Sequence, residues 1–153
     1  MINRISKSLL IGIIMGLLYM GIEGIYHIPK GGYANIIMAP IGGLCGLLVG
    51  SINQFDKFYN MAIWKQSLIG AIIVLIIEAI SGYIINIKLG LHIWDYSELA
   101  FNWKGQICLS FGVIWYAMMP LVIWFDDLIR NILWKEKPKY SLKDTYIKWI
   151  TFK

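Results

Sequence analysis

The chain has 153 residues, 58% of them hydrophobic and 15% charged, with a formal net charge of +5 and a mean hydropathy of +0.64. A soluble domain of this length cannot hide that much apolar surface, so the composition excludes a soluble globular protein and points to one polytopic membrane domain. The positive charge does not point to nucleic acid, because the lysines flank apolar runs and form no basic face; a lipid bilayer surface accounts for them better.

The first apolar run predicts a helix over Ser6–Ile28. It is too long for the apolar core of a signal peptide and has no small-x-small site before Pro29, so no cleavable leader is expected. A second helix is expected over Asn35–Ile52, containing Pro40 and the glycines Gly42, Gly43, Gly46 and Gly50. Small residues of this kind let helix backbones approach closely, and Pro40 is a candidate kink. A third helix is expected over Lys65–Ile87 and a fourth over Ile107–Leu133, the latter containing Pro120. Because the apolar core of a bilayer takes about 20 residues of helix, the predicted fold class is all-α with four transmembrane helices over residues 1–135. Asp126 and Asp127, beside Arg130, are expected to form a solvated helix end. Residues 136–153 form a basic tail. There Ser141 with Asp144 resembles a capping box, and Leu142, Tyr146, Trp149 and Ile150 recur at helical spacing between lysines, the pattern of a short amphipathic helix on a membrane surface. Cys45 and Cys108 both fall at or within apolar segments and are expected to be buried thiols.

Four spans put both termini on one side. Eleven lysines and arginines lie there, against Lys30, Lys88 and Lys104 on the other side. The positive-inside rule then places both termini in the cytoplasm and the first and third loops outside.

Glu23 and Glu78 each sit inside an apolar run. A charge at the centre of a membrane helix costs roughly 2.5 kcal/mol or more, so such residues face protein or water and often mark a functional site. Sliding the chain by 55 residues lays MGIEGI (20–25) over LIIEAI (75–80) and brings the two glutamates into register. That alignment suggests two parallel two-helix units related by an axis along the membrane normal, with chance similarity of apolar sequence as the alternative. In such an arrangement the carboxylates face a shared centre, where a proton, a bound cation or a basic group on a solute relieves their repulsion.

The segment from Gly90 to Leu109, GLHIWDYSELAFNWKGQICL, is dense in polar and aromatic side chains. A loop this long in so small a membrane protein is expected to fold back over the helix ends. Trp94, Tyr96 and Trp103 otherwise read as an interfacial aromatic belt, and Asp95 with Ser97 as a local turn. Asn102, Lys104 and Gln106 lead into the fourth helix. Glu23 and His27 share a helix face at i, i+4. With Glu78, His92, Asp95 and Cys108 a metal site can be drawn, but no dense ligand motif such as H-E-x-x-H is present; no metal and no other cofactor is expected.

Glu78, then SGY (81–83), WDYS (94–97), N-x-x-G-Q-I-C (102–108) and Trp115, with I-E (22–23), KGGY (30–33), Met38 and GG (42–43) upstream, resemble a family of small bacterial integral membrane proteins known as Putative ABC-transporter type IV, or putative ABC transporter permeases. The resemblance covers roughly residues 12–130, and the WDYS-to-GQIC block is its most specific part. In the first loop, where the family often carries an Arg-Gly and a His-Trp pair, this chain has Lys30-Gly31 and Ala34-Asn35. The resemblance implies transport in the bacterial cytoplasmic membrane. The chain carries no G-x-x-x-x-G-K-S/T phosphate loop, so an ATPase would be a separate partner.

The leading expectation is a transport-type protein or transporter membrane subunit whose polar site draws on Glu23, Glu78, Trp94, Asp95, Tyr96, Asn102 and Gln106 and binds a cation or a cationic solute. Because four helices make a thin wall, a homo-oligomer or a partner membrane protein is expected too. Two alternatives stay open. One is a membrane enzyme acting on a lipid-linked substrate at the extracytoplasmic face. The other is a non-catalytic module that binds lipid or a partner protein, in which Glu78 accepts hydrogen bonds from Tyr96 or Trp94 and holds the loop in place.

Overall fold

The structure, a computed structural model, describes residues 4–27 and 32–153. The chain divides into two compact units, Met1–Leu48 and Val49–Lys153. Three helical segments are long and apolar enough to cross a membrane: Ile5–Ile25, Ile63–Lys88 and Leu109–Trp134, with mean hydropathies of 1.9, 2.5 and 1.5.

The first unit holds α1 (Arg4–His27) and most of α2 (Met38–Gly50). Glycines bring the two helices together, as the composition of the second run predicts. A methyl group on Gly16 would overlap the carbonyl oxygen of Ala39, and one on Gly43 would sit 2.7 Å from the carbonyl oxygen of Gly12. On the same faces Tyr19 lies over Gly42 and Met15 over Gly46. Gly12 and Gly16 thus form one small-xxx-small face and Gly42 and Gly46 another, the pattern that lets membrane helices touch backbone to backbone.

The second helix corrects one expectation. It has 13 residues, about 20 Å of helix at 1.5 Å per residue, against an apolar core of about 30 Å. Asn35 sets its start: the Asn35 carbonyl accepts from Met38 N–H and its side chain from Ile37 N–H, both within 3.0 Å. Pro40 lies in the first turn, where a missing N–H removes no helical bond and no kink results. After Gly50 the chain turns into a short 3₁₀ segment, Ile52–Gln54. Four full spans are therefore not borne out, and neither are two equal repeats, since the 55-residue shift lays α2 over residues 93–105, which are not helical. Lys30, Gly31 and the expected end of the first helix at Ile28 lie outside the described residues.

The second unit continues with α3 (Asp56–Tyr59), α4 (Ile63–Gly82), a wider π-type turn over Tyr83–Lys88, a small antiparallel hairpin of β1 (Asn102–Trp103) and β2 (Ile107–Cys108), α5 (Leu109–Trp134) and α6 (Leu142–Ile150). Helix α4 is built inside out. Leu68, Ile72, Ile76 and Ile80, four residues apart, are each about half exposed, whereas Gln66, Ser67, Gly70, Ala71, Val74, Glu78 and Gly82 are buried. Lipid solvates the aliphatic stripe, and the small and polar face turns inward. There Met119 crosses Gly70 and Leu75 crosses Gly112, so α4 and α5 run antiparallel.

Helix α6 packs on both. Ser141 caps it by accepting from Asp144 N–H at 3.1 Å, one half of the capping box its sequence resembles, while the Asp144 carboxylate accepts from the Ser141 hydroxyl at 2.7 Å where a capping box has the backbone N–H. Trp149 lies against Tyr116, with ring centres 5.3 Å apart, and Tyr146 donates to the carbonyl of Ala117 at 3.3 Å. Burial pushes the Tyr146 phenol up. Lys153 closes the tail by accepting from Ile63 N–H at 2.9 Å.

Candidate functional site

Glu78 faces inward from α4 and is only 7% exposed. Its Oε1 accepts from the indole N–H of Trp115 on α5 at 3.1 Å. Its Oε2 is buried and has no hydrogen-bond partner among the described residues. The donor is thus Trp115, not the expected Trp94 or Tyr96. A buried carboxylate with one oxygen hydrogen-bonded and the other without a protein partner among the described residues is a group that a proton or a cation can stabilise.

One helical turn beyond this pair, the connecting segment closes over the helix ends. Gly82, four residues after Glu78, has no room for a side chain because Gln106 lies on it. Phe111, four residues before Trp115, stacks on Tyr96 with ring centres 4.5 Å apart and planes 20° apart. The segment is a folded cap resting on the ends of α4 and α5.

Its hub is Asn86, which the sequence reading did not single out. The residue is 3% exposed. Its amide donates to the Trp94 carbonyl at 3.0 Å and to Gln106 Oε1 at 2.8 Å, and it accepts from Ile93 N–H at 2.7 Å. Trp94 donates its indole N–H to the Gln106 carbonyl at 3.1 Å, and Gln106 donates to the Lys104 carbonyl at 2.9 Å. Asp95 accepts from Ser97 N–H at 2.8 Å, the local turn its spacing allows. Asn102 donates to the carbonyls of Ser97 and Leu99 and accepts from Gly105 N–H at 2.9 Å. The hairpin turn needs Gly105, which sits at φ +69° with Asp95 where a side chain would go. Trp94, Asp95, Tyr96, Asn102 and Gln106 are therefore brought together in the cap, Tyr96 by its ring and backbone N–H and the other four by their side-chain hydrogen bonds.

Glu23 is half-buried in α1, in the first unit. Among the described residues no three of His, Cys, Asp and Glu gather as metal ligands. Cys108 is buried with its thiol 3.2 Å from the Ser110 hydroxyl, Cys45 is half-buried, and no disulfide joins them.

At the opposite end of α5 the structure corrects another expectation. Asp126 and Arg130 are not a solvated helix end: they are 0% and 4% exposed and form an ion pair at 2.6 Å. Gly50 makes room for it, since a side chain there would collide with the Asp126 carboxylate. The i, i+4 spacing of Asp126 and Arg130 was the available signal; the missing one was the glycine opposite.

Compared with known proteins, residues 8–151 match the model of the family described as "Putative ABC-transporter type IV". No curated protein and no solved structure matches the chain.

Proposed function

The chain belongs to the Putative ABC-transporter type IV family, and on that premise we propose that it is a transport-type membrane protein or transporter membrane subunit whose polar site is centred on Glu78. The observation that carries this reading is the half-satisfied carboxylate between α4 and α5, one turn below a folded cap. The site binds a proton, a small cation or the cationic group of a solute. The cap screens it on one side and orders the ends of both helices around it.

Within the second unit, Lys65, Arg130, Lys135, Lys137, Lys139, Lys143 and Lys148 lie on the elements at the end away from the cap, which carries Lys88 and Lys104. The cap then faces outward and the tail the cytoplasm of a bacterial cell. ATP hydrolysis, where it drives transport, comes from a partner protein.

A second reading rests on the cap alone. Because Asn86, Asp95, Asn102 and Gln106 direct their hydrogen bonds into it, the cap is also suited to present a fixed surface to a partner, with Glu78 and Trp115 as its footing.

The test is thermal stability and liposome flux of purified wild type and Glu78→Gln across pH and a panel of monovalent cations, divalent cations and organic ammonium compounds. A ligand of the native state raises the melting temperature by mass action. Stabilisation of the wild type by one class, lost with flux in the variant, is the expected result. No ligand effect together with a large melting loss in Glu78→Gln refutes the transport site and leaves the second reading.

A further inference from the structure

A second polar site lies at the far end of the same unit. A cavity of about 240 Å³ opens there, lined by Gln54 of the 3₁₀ segment, Tyr59 of α3, Asp127 and Arg130 of α5, and Glu136, Lys137 and Lys139 of the link to α6. On α5, Asp127 is twelve residues beyond Trp115, about 18 Å along the helix axis, so this cavity is separate from the Glu78 site.

Three observations define what it takes. The first is depth. Helix α5 has 26 residues, about 39 Å of helix, roughly 9 Å more than the apolar core of a bilayer. Its charged residues, Asp126, Asp127 and Arg130, all fall in its last nine positions, so the cavity lies at the level of lipid headgroups. The second is size. At about 240 Å³ the cavity is smaller than the roughly 300–1,000 Å³ of pockets for drug-sized ligands and suits a small polar group. The third is charge. The lining carries both signs, with Arg130, Lys137 and Lys139 against Asp127 and Glu136. Arg130 is 4% exposed and directs Nε and Nη2 at Asp126. Lys139 is held in place by donating to the Tyr59 carbonyl and lying over its ring. A simple anion would meet two carboxylates here and a simple cation three basic groups. A ligand that carries both charges meets complementary groups in this wall.

We propose that this cavity binds a phosphoethanolamine group, a phosphate ester joined by two carbons to a primary ammonium. Its eight non-hydrogen atoms suit the volume. Lys137 and Lys139, with Arg130 behind them, face the phosphate; Asp127 and Glu136 face the ammonium, whose three N–H groups a carboxylate pair can accept. The group comes either as the headgroup of a phospholipid or as a water-soluble ester, and the chemistry of the wall is common to both.

The full-length protein in detergent tests this in two arms. Native mass spectrometry compares retention of phosphatidylethanolamine, phosphatidylcholine and phosphatidylglycerol; melting temperature is followed with free phosphoethanolamine, phosphate and ethanolamine. The expected result is about tenfold preference for the ethanolamine headgroup over choline, which has no N–H to give, corresponding to the loss of one charge-assisted hydrogen bond. Lys137→Ala, at an exposed position, lowers retention about tenfold without changing the melting temperature of the unliganded protein. Glu136→Lys turns the preference towards phosphatidylglycerol. A response confined to the lipid arm assigns a headgroup, and one confined to the soluble arm assigns a free ester. Equal retention of all three lipids with no response to free phosphoethanolamine overturns the proposal, as does a preference unmoved by both variants.

Discussion

Replacing Asn86 by leucine keeps the branching at Cγ, in a bulkier side chain, and removes three hydrogen bonds at once: those to the Trp94 carbonyl, to Gln106 Oε1 and from Ile93 N–H, of 3.0, 2.8 and 2.7 Å. Each net bond contributes about 1 kcal/mol, and a buried partner left without water costs about 1–3 kcal/mol. Gln106 is 4% exposed, so its Oε1 would be stranded, while the Trp94 carbonyl is nearer solvent. The expected loss is about 3–4 kcal/mol. In a protein of this length about 2–4 °C of melting temperature corresponds to each kcal/mol, so Asn86→Leu should melt roughly 6–15 °C below wild type. The loss is local, so limited proteolysis in detergent should cut the cap between Gly90 and Gly105 before it cuts α4 or α5. A melting shift under about 2 °C with an unchanged cleavage pattern would show that Asn86 does not hold the cap, and would remove the argument that the cap is a fixed roof over Glu78.

Gly16→Ala should cost about 1–3 kcal/mol, because the new methyl meets the Ala39 backbone. Gly21→Ala, which meets nothing within 4 Å, should be neutral or slightly stabilising; parallel melting curves of the two check the contact between α1 and α2. Asp126→Ala leaves the Arg130 charge buried and should cost about 3–5 kcal/mol, whereas Asp126→Ala with Arg130→Met should recover at least half of it in equilibrium unfolding. A double-mutant cycle of Trp115→Phe and Glu78→Gln should give a coupling of about 1–2 kcal/mol for their hydrogen bond; additive losses would separate the two residues.

What was legible in the sequence follows from what a membrane does to composition. Apolar runs of about 20 residues declare themselves by length, so α1, α4 and α5 fall where their hydropathy places them. Helix α6 is read from a cap and a period. The glycines of α2 announced close packing but not its end, because a glycine-rich apolar run has no composition signal that separates 13 helical residues from 18. The cap was legible as a polar, aromatic segment, but its hub was not: Asn86 is one amide between isoleucines, and its three partners are 7 to 20 residues away. Trp115 could be noticed as an indole N–H inside an apolar helix that needs an acceptor. Asp126 and Arg130 looked solvated because helix ends with charges usually are, and only the glycine that faces them shows otherwise.

The wide turn at the end of α4 sets a phase. In a regular α-helix successive side chains advance by 100°, so Asn86 would point about 80° away from Glu78, eight residues earlier. Over Tyr83–Lys88 the winding is looser and each residue advances by less, which swings Asn86 back towards the azimuth of Glu78 and Gly82. One polar meridian then runs from the carboxylate to the amide that anchors the cap. Regular winding with every residue kept would aim that amide about 80° away, whereas deleting one residue between Gly82 and Asn86 would bring it back to within about 20° of Glu78, so the residue count of this one turn, matched to its winding, decides whether the roof and the site it covers stay in line.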